Sequence, residues 1–164
     1  MNIDDDDDFD FDFEGLSDDE MNEIEKEMKE ADKRLRNHPL FKKAKEILAI
    51  VEAINASLDE EDRELYMGTL RESAMMLAPK LAGAMGSGSW LICMQNAAII
   101  RYHAMYLLTS NHLLNELDNA DTNYIKVFRQ EMEEFRTLFN AWTKEIHQME
   151  REEYEDEWGL FLRG

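Results

Sequence analysis

Residues 89–114 read SWLICMQNAAIIRYHAMYLLTSNHLL and hold one formal charge, Arg101, in a chain where 34% of residues are charged. Apolar residues fall on nearly every side of a helical projection, a pattern typical of a buried helix. Gln95, Asn96, Arg101 and His103 break any apolar run near the ~18 residues that a membrane span needs, so we reject that interpretation. We expect the segment to be the central helix of a soluble bundle or the seam of an oligomer.

The composition favours helix in the rest of the chain as well. Its 164 residues suit one folding domain, and only 7 are Gly and 2 are Pro. We therefore predict an all-α fold. Its architecture is an up-and-down four-helix bundle with an extra amino-terminal helix and a long, overhanging last helix.

The acidity of the chain is concentrated at its two ends. The formal charge is −19, and residues 1–38 contribute −11 from 16 acids and 5 bases. Residues 145–164 contribute −5 from 7 acids and 2 bases, which leaves −3 for residues 39–144. Such ends repel phosphate backbones, so we expect no nucleic-acid binding by them and favour a basic protein partner.

The single cysteine and the first residues indicate the cellular compartment of the protein. Cys93 has no second cysteine for an internal disulfide and lies in the most apolar segment, so we interpret it as an apolar core residue of a reducing compartment. The sequence MNIDDDDD lacks the basic and apolar regions of a signal peptide. We expect a cytoplasmic protein that is not bound to a membrane.

Hydrophobic spacing divides the chain into segments. Ser17 and Glu20 match a capping box that starts a polar helix, and Pro39 suits the first turn of the next helix. Three- and four-residue apolar spacing predicts the bundle helices over 40–58, 60–85, 89–114 and 122–158. The predicted domains are a disordered acidic tail (1–16), the polar helix (17–38), the bundle (39–158) and an apolar carboxy-terminal tail (159–164).

Both tails carry aromatic or apolar residues that are candidates for interaction. Phe9, Phe11 and Phe13 alternate with acids, which is compatible with a solvated tail or with a short docking motif steered by charge. The chain ends close to an apolar run that is expected to dock on a neighbouring subunit. That run consists of Leu160, Phe161 and Leu162.

Three parts of the bundle resemble one family. LFKKAKEIL (40–48), LRESAMMLAPKLAGAMGSGS (70–89) and NAAIIRYHAMYLL (96–108) resemble the four-helix-bundle proteins encoded by intervening sequences of bacterial ribosomal RNA genes. The accessory protein of diversity-generating retroelements belongs to the same group. The resemblance covers about 105 residues and rests on packing patterns, in keeping with an antiparallel bundle. It implies an up-and-down bundle, a homo-oligomer (a pentamer in that family) and no enzymatic activity.

Arg101 is the charge that most needs explanation in a buried helix. An unpaired buried charge is very costly, and Glu72 is the nearest carboxylate by helix order. A structural ion pair, or a side chain that reaches solvent along its stem, is one interpretation. The other is a ligand-binding pocket of Arg101, Tyr102, His103 and Gln95.

Two further function classes stay open beside the leading one. A nucleic-acid-associated accessory protein needs a basic stripe among Lys42, Lys43, Lys45, Lys126 and Arg129, which the net charge of −3 opposes. A small-molecule- or metal-binding bundle enzyme needs Glu-x-x-His pairs, and the sequence has none. We therefore expect no catalytic residue, no metal and no cofactor. The leading hypothesis is a non-enzymatic, self-associating helical bundle that acts as an interaction module.

Overall fold

The computed structural model describes residues 17–117 and 120–151, and these residues form helices without any strand. The helices are α1 (Asp18–Asn37), α2 (Pro39–Ser57), α3 (Glu60–Ser87), α4 (Trp90–Asn115) and α5 (Thr122–Ile146). The all-α prediction is confirmed. The chain divides between Lys33 and Arg34 into two compact units, so α1 is described separately from α2–α5.

Helix α1 begins at the predicted capping box. The Glu20 backbone N–H donates to Ser17 Oγ at 3.3 Å, and the Ser17 N–H donates to the Glu20 carboxylate at 2.8 Å. These bonds satisfy two N–H groups that a helix start leaves without partners. The bond from the Ser17 N–H, together with one that the Ser17 hydroxyl donates to the same carboxylate, lowers the pKa of the Glu20 carboxyl. No residue of α1 is buried.

Helices α2–α5 form an up-and-down bundle. Helix α3 packs against α2 and α4, α4 also packs against α5, and α5 closes the ring on α2. Helices α3 and α4 are antiparallel, because Ser73 pairs with His103 whereas the later residue Ala84 pairs with the earlier residue Cys93. Short connections between consecutive helices produce this arrangement.

The helix ends follow local sequence signals. Asp59 and Asp121 accept backbone N–H bonds at the starts of α3 and α5, at 2.9 and 2.8 Å. His38 does the same for α2 at 3.2 Å, with Pro39 in the first turn. Gly88 ends α3 with φ 64°, a left-handed conformation that glycine adopts without a steric penalty.

The core lies between the four bundle helices. Phe128 and Phe135 of α5 are its largest fully buried side chains, and they pack among aliphatic residues of α2, α3 and α4. Cys93 is buried in the same core, where its thiol donates to the Ala84 carbonyl at 3.2 Å. The largest fully buried aliphatic side chains are those of Leu40, Ile47, Ile54, Met67, Leu70, Leu77, Leu81, Ile100, Leu107 and Leu114.

The last helix is shorter than the sequence predicted. It ends at Ile146 instead of continuing to Trp158, so α5 has 25 residues against 26 in α4 and does not overhang it. Beyond Ile146 the backbone forms a tight turn, in which the Met149 N–H donates to the Ile146 carbonyl and the Met149 side chain packs on the core. Glu145 and Glu150 lie on either side of this helix end. Their negative charges are unfavourable there, because the carboxy-terminal end of the helix dipole is negative.

A cluster of charges ties α2 to α5. Lys43 Nζ donates to Glu131, to Glu134 at 2.8 Å and to Glu46 at 2.8 Å. Burial alone would lower the pKa of Lys43, but the bonds to the three carboxylates outweigh it and raise that pKa. The same ammonium lowers the pKa of Glu134. One cation thus compensates two carboxylates that α5 places side by side.

We expect Lys43→Met to destabilise the bundle by about 1–3 kcal/mol at pH 7, because Glu131 and Glu134 lose their shared cation. Lys42→Met removes an exposed charge from the same helix and should cost less than about 0.5 kcal/mol. The pKa of Glu134 is lowered in the folded protein, so its contribution to stability is present above pH ~4.3 and fades as the pH falls through the folded-state pKa. Urea unfolding of both variants at pH 7 and at low pH measures the difference, and equal losses would contradict this assignment.

Candidate protein-interaction face

Most of the predicted interaction residues lie outside the described part of the chain. Phe9, Phe11 and Phe13 precede residue 17, and residues 160–162 (Leu160, Phe161 and Leu162) follow residue 151. Their roles stay predictions. Arg101 is the one candidate that the structure describes.

Arg101 is exposed, which corrects the expectation that it is buried. Within residues 17–117 and 120–151 it forms no ion pair, and the expected pair with Glu72 does not occur. The bundle covers only the inward and lateral sides of α4, so the guanidinium reaches water without a compensating carboxylate. Of the interpretations from sequence, the side chain that reaches solvent is the one that agrees with the structure.

The predicted pocket around Arg101 does not form. Gln95 and Tyr102 are seven residues apart and are exposed on the same side of α4, Arg101 is exposed beside Tyr102, and His103 is half-buried. The His103 ring nitrogen Nδ1 lies 3.2 Å from the Ser73 hydroxyl of α3. Arg101 and His103 are two residues apart and point to nearly opposite sides of the helix, so the four side chains do not converge on one pocket. His103 instead helps to join α4 to α3.

The outer side of α4 is exposed and apolar, which corrects the expectation of burial on all sides. Cys93, Ala97, Ile100, Leu107 and Leu114 face the core. Four large apolar side chains on the opposite side are exposed by 40–70%, namely Ile92, Tyr102, Met105 and Leu113. Together with the exposed residues Gln95, Ala98 and Thr109, they are called the α4 outer face.

The seven residues of the α4 outer face carry no charge, although the chain is densely acidic, and the exposed Arg101 lies at the edge of this face. Residues 73–115 are 43 consecutive positions without Asp or Glu, in a chain that has 37 of these residues. Their only formal charges are Lys80 and Arg101. This acid-free run forms the second part of α3 and all of α4, the two helices with the most extensive contact in the bundle.

Helix α3 also exposes residues of low polarity, although Arg71 and Glu72 lie one turn before Met75 and Lys80 follows Pro79. Met75 is exposed by 54%, and Pro79, Gly83 and Gly86 are also exposed. Because side chains at positions 79, 83 and 86 are short, they leave backbone within reach of another surface. Helix α3 therefore also presents backbone and apolar side chains to solvent.

The proposed basic stripe is interrupted in the structure. Lys42, Lys45, Lys126 and Arg129 are exposed, but Lys43 between them is neutralised by three carboxylates. Phosphate-backbone binding needs several cations that are free to release counterions. For metals, no group of three or more His, Cys, Asp or Glu side chains converges within residues 17–117 and 120–151.

Comparison of the chain with protein-family models, with curated proteins and with solved structures gives no match. Within the described ranges, none of the five helices combines the length and the apolar character needed to cross a lipid bilayer.

The sequence does not distinguish the α4 outer face from core. Apolar residues all round a helix are compatible with a core helix and with a helix that has an exposed apolar face. The absence of acids over residues 73–115 is also compatible with both, because unpaired carboxylates are excluded from the core. The tertiary structure identifies the exposed apolar patch by showing which side of α4 is covered.

We expect Arg101→Met to change the melting temperature by less than about 2 °C, since an exposed residue without a partner contributes little to stability. The neighbouring substitution Ile100→Ala removes a fully buried side chain and should cost about 2–5 kcal/mol. Thermal unfolding followed by circular dichroism, at concentrations that keep the chain monomeric, compares the two. A fall as large for Arg101→Met as for Ile100→Ala would show that Arg101 has an essential buried partner.

Proposed function

We propose that the chain is a non-enzymatic, self-associating helical-bundle interaction module, and that the α4 outer face is its contact with a second copy. The observation that carries the proposal is an exposed, apolar and uncharged helix face on a protein of formal charge −19. Exposed apolar patches of this kind typically mark interaction sites. The proposal includes a cytoplasmic location, in keeping with one buried cysteine.

Charge favours this face for contact between copies. Outside residues 73–115 the formal charge is −21, that is −19 minus the +2 of Lys80 and Arg101. Two copies that meet through any other side bring carboxylates together, which is unfavourable. Contact through α4 holds those carboxylates apart and buries apolar side chains instead.

The α4 outer face is also complementary to itself. If two α4 helices lie antiparallel with Tyr102 at the two-fold axis, positions whose numbers sum to about 204 face each other. Gln95 then meets the partner copy's residue 109, a threonine, and Ala98 meets residue 105, a methionine, so a small side chain faces a large one. Ile92 likewise meets the leucine at position 113. Such an arrangement is isologous, because the same patch is used by both copies.

The expected affinity is modest. Each of the four large apolar side chains is already about half covered, so complete burial contributes about 1 kcal/mol per side chain and about 8 kcal/mol for two faces. Lost translational and rotational freedom opposes association by at least about 4 kcal/mol. The contact on α4 alone therefore leaves at most about 4 kcal/mol, which corresponds to a dissociation constant of about 1 mM at best. Burial of exposed residues of α3 in the same contact would strengthen it.

An isologous contact closes as a dimer, whereas the pentamer implied by the family resemblance needs a heterologous contact between two different patches. Both are forms of the same proposal, and mass measurement separates them. The nucleic-acid alternative has less support, because Lys43 is neutralised within the stripe that it requires.

Sedimentation equilibrium of the full chain tests self-association. We expect the average mass to rise above the 19.3 kDa of one chain as the concentration increases from about 1 µM to about 500 µM. Tyr102→Asp should abolish the rise, because it places a carboxylate at the centre of both contacting faces. A chain that remains monomeric throughout this range would refute the proposal.

The matched control is Val127→Asp, which adds the same charge at another exposed apolar residue. Val127 is exposed by 45% on α5, away from the α4 outer face. This variant should associate like the unmodified chain, apart from a small effect of two added charges. If Val127→Asp dissociates the oligomer while Tyr102→Asp does not, the contact lies on α5 instead of α4.

A further inference from the structure

Helix α1 carries an apolar stripe, and none of the residues in the stripe is buried. Met21, Ile24, Met28, Ala31 and Leu35 follow spacings of three, four, three and four, the pattern of two heptads of a coiled coil. Met21 is exposed by 42%, Ile24 by 37% and Met28 by 67%. These residues form one side of an amphipathic helix and are suited to packing against a second helix.

The two flanks of the stripe are acidic. One flank has Glu20, Glu27 and Arg34, and the other has Asp18, Glu25 and Asp32, in the positions that face a partner helix in a coiled coil. Five carboxylates and one guanidinium give the flanks a formal charge of −4. Glu25 pairs with Lys29 on the far side of the helix, which lowers the pKa of the Glu25 carboxyl and keeps it charged.

The flanks disfavour a second copy of α1 as the occupant. In a parallel pair each flank residue faces the residue five positions later, so Glu20 meets the glutamate at 25 and Glu27 meets the aspartate at 32. In an antiparallel pair, positions 25 and 27 each meet their own copy, and position 18 meets position 32. Only the contact of Glu20 with an arginine at position 34 is favourable. Like charges therefore outnumber opposite charges in both orientations.

An anionic membrane surface is disfavoured for the same reason. Helices that lie on such surfaces have Lys and Arg beside the apolar side, which are attracted to lipid head groups. Helix α1 has the opposite arrangement. The partner that matches both features is a helix with an apolar stripe at the same spacing and Lys or Arg on its flanks.

We propose that α1 binds a basic amphipathic helix of another protein through the Met21–Ile24–Met28 stripe, with its acidic flanks selecting the cationic partner. This site is separate from the α4 outer face and does not depend on self-association. Charge complementarity sets the specificity and the rate of encounter, whereas the apolar stripe sets the orientation of the partner helix.

Peptide binding to the full chain tests the proposal. One probe is a peptide of about 21 residues with Leu at the stripe positions and Lys on the flanks, so that it spans three heptads. A scrambled peptide of the same composition controls for attraction to the acidic chain in general. By fluorescence anisotropy we expect the amphipathic peptide to bind at least about tenfold more tightly than the scrambled one. Equal affinities would overturn the proposal.

Variants of the chain locate the site. Ile24→Ser should weaken binding of the amphipathic peptide about tenfold, and Glu27→Lys about threefold or more. Glu30→Lys makes the same change of charge on the far side of α1 and should have a smaller effect than Glu27→Lys. If Ile24→Ser leaves the affinity unchanged, or if the two lysine variants behave alike, the peptide binds elsewhere and the proposal fails.

Circular dichroism of these variants confirms that the fold is kept, as expected because the substituted side chains are not buried. Tyr102→Asp separates this site from the proposed contact between copies. It should retain the affinity of the unmodified chain for the amphipathic peptide, whatever its effect on the mass in solution. Loss of peptide binding in that variant would assign the peptide site to α4.

Discussion

The structure depends on the segregation of carboxylates from apolar surface. A chain of 164 residues with 37 acids has to bury a continuous core without burying charge, since an unpaired buried carboxylate is very costly. Helices α2 and α5 solve this with an inward apolar stripe, an outward polar face and Lys43 shared between acids. Helices α3 and α4 solve it by excluding acids altogether over residues 73–115. The two solutions leave the bundle with a charged side and an uncharged side.

Much of the fold was readable from the sequence because the signals were local. The capping box at Ser17 and Pro39 at the start of α2 depend on neighbouring residues only, and both predictions are confirmed. Apolar spacing predicted the core of α2, α3 and α5 for the same reason. The end of α5 was misplaced, since no Gly or Pro stands at Ile146 and the helix stops where Met149 packs on the core.

The candidate interaction face was less predictable, because exposure is a tertiary property. A helical projection of residues 89–114 shows apolar residues all round, but it does not show that a four-helix ring covers only the inner and lateral sides. The expectation that Arg101 is buried was wrong for this reason. The residues before it in the sequence are apolar, but its side chain is exposed to solvent. The predictions for the Phe-containing and Leu-containing tails are not tested, because these tails fall outside the described residues.

The connection between α3 and α4 also bears on how the chain folds. Only Gly88 and Ser89 separate the two helices, and this pair has the most extensive contact in the bundle. Closing so short a loop costs little entropy, and the contacts it brings together are close in sequence. The α3–α4 hairpin therefore suits the role of folding nucleus, on which α2 and α5 condense. The uncharged part of the chain would then collapse first, before its acidic flanks are drawn together.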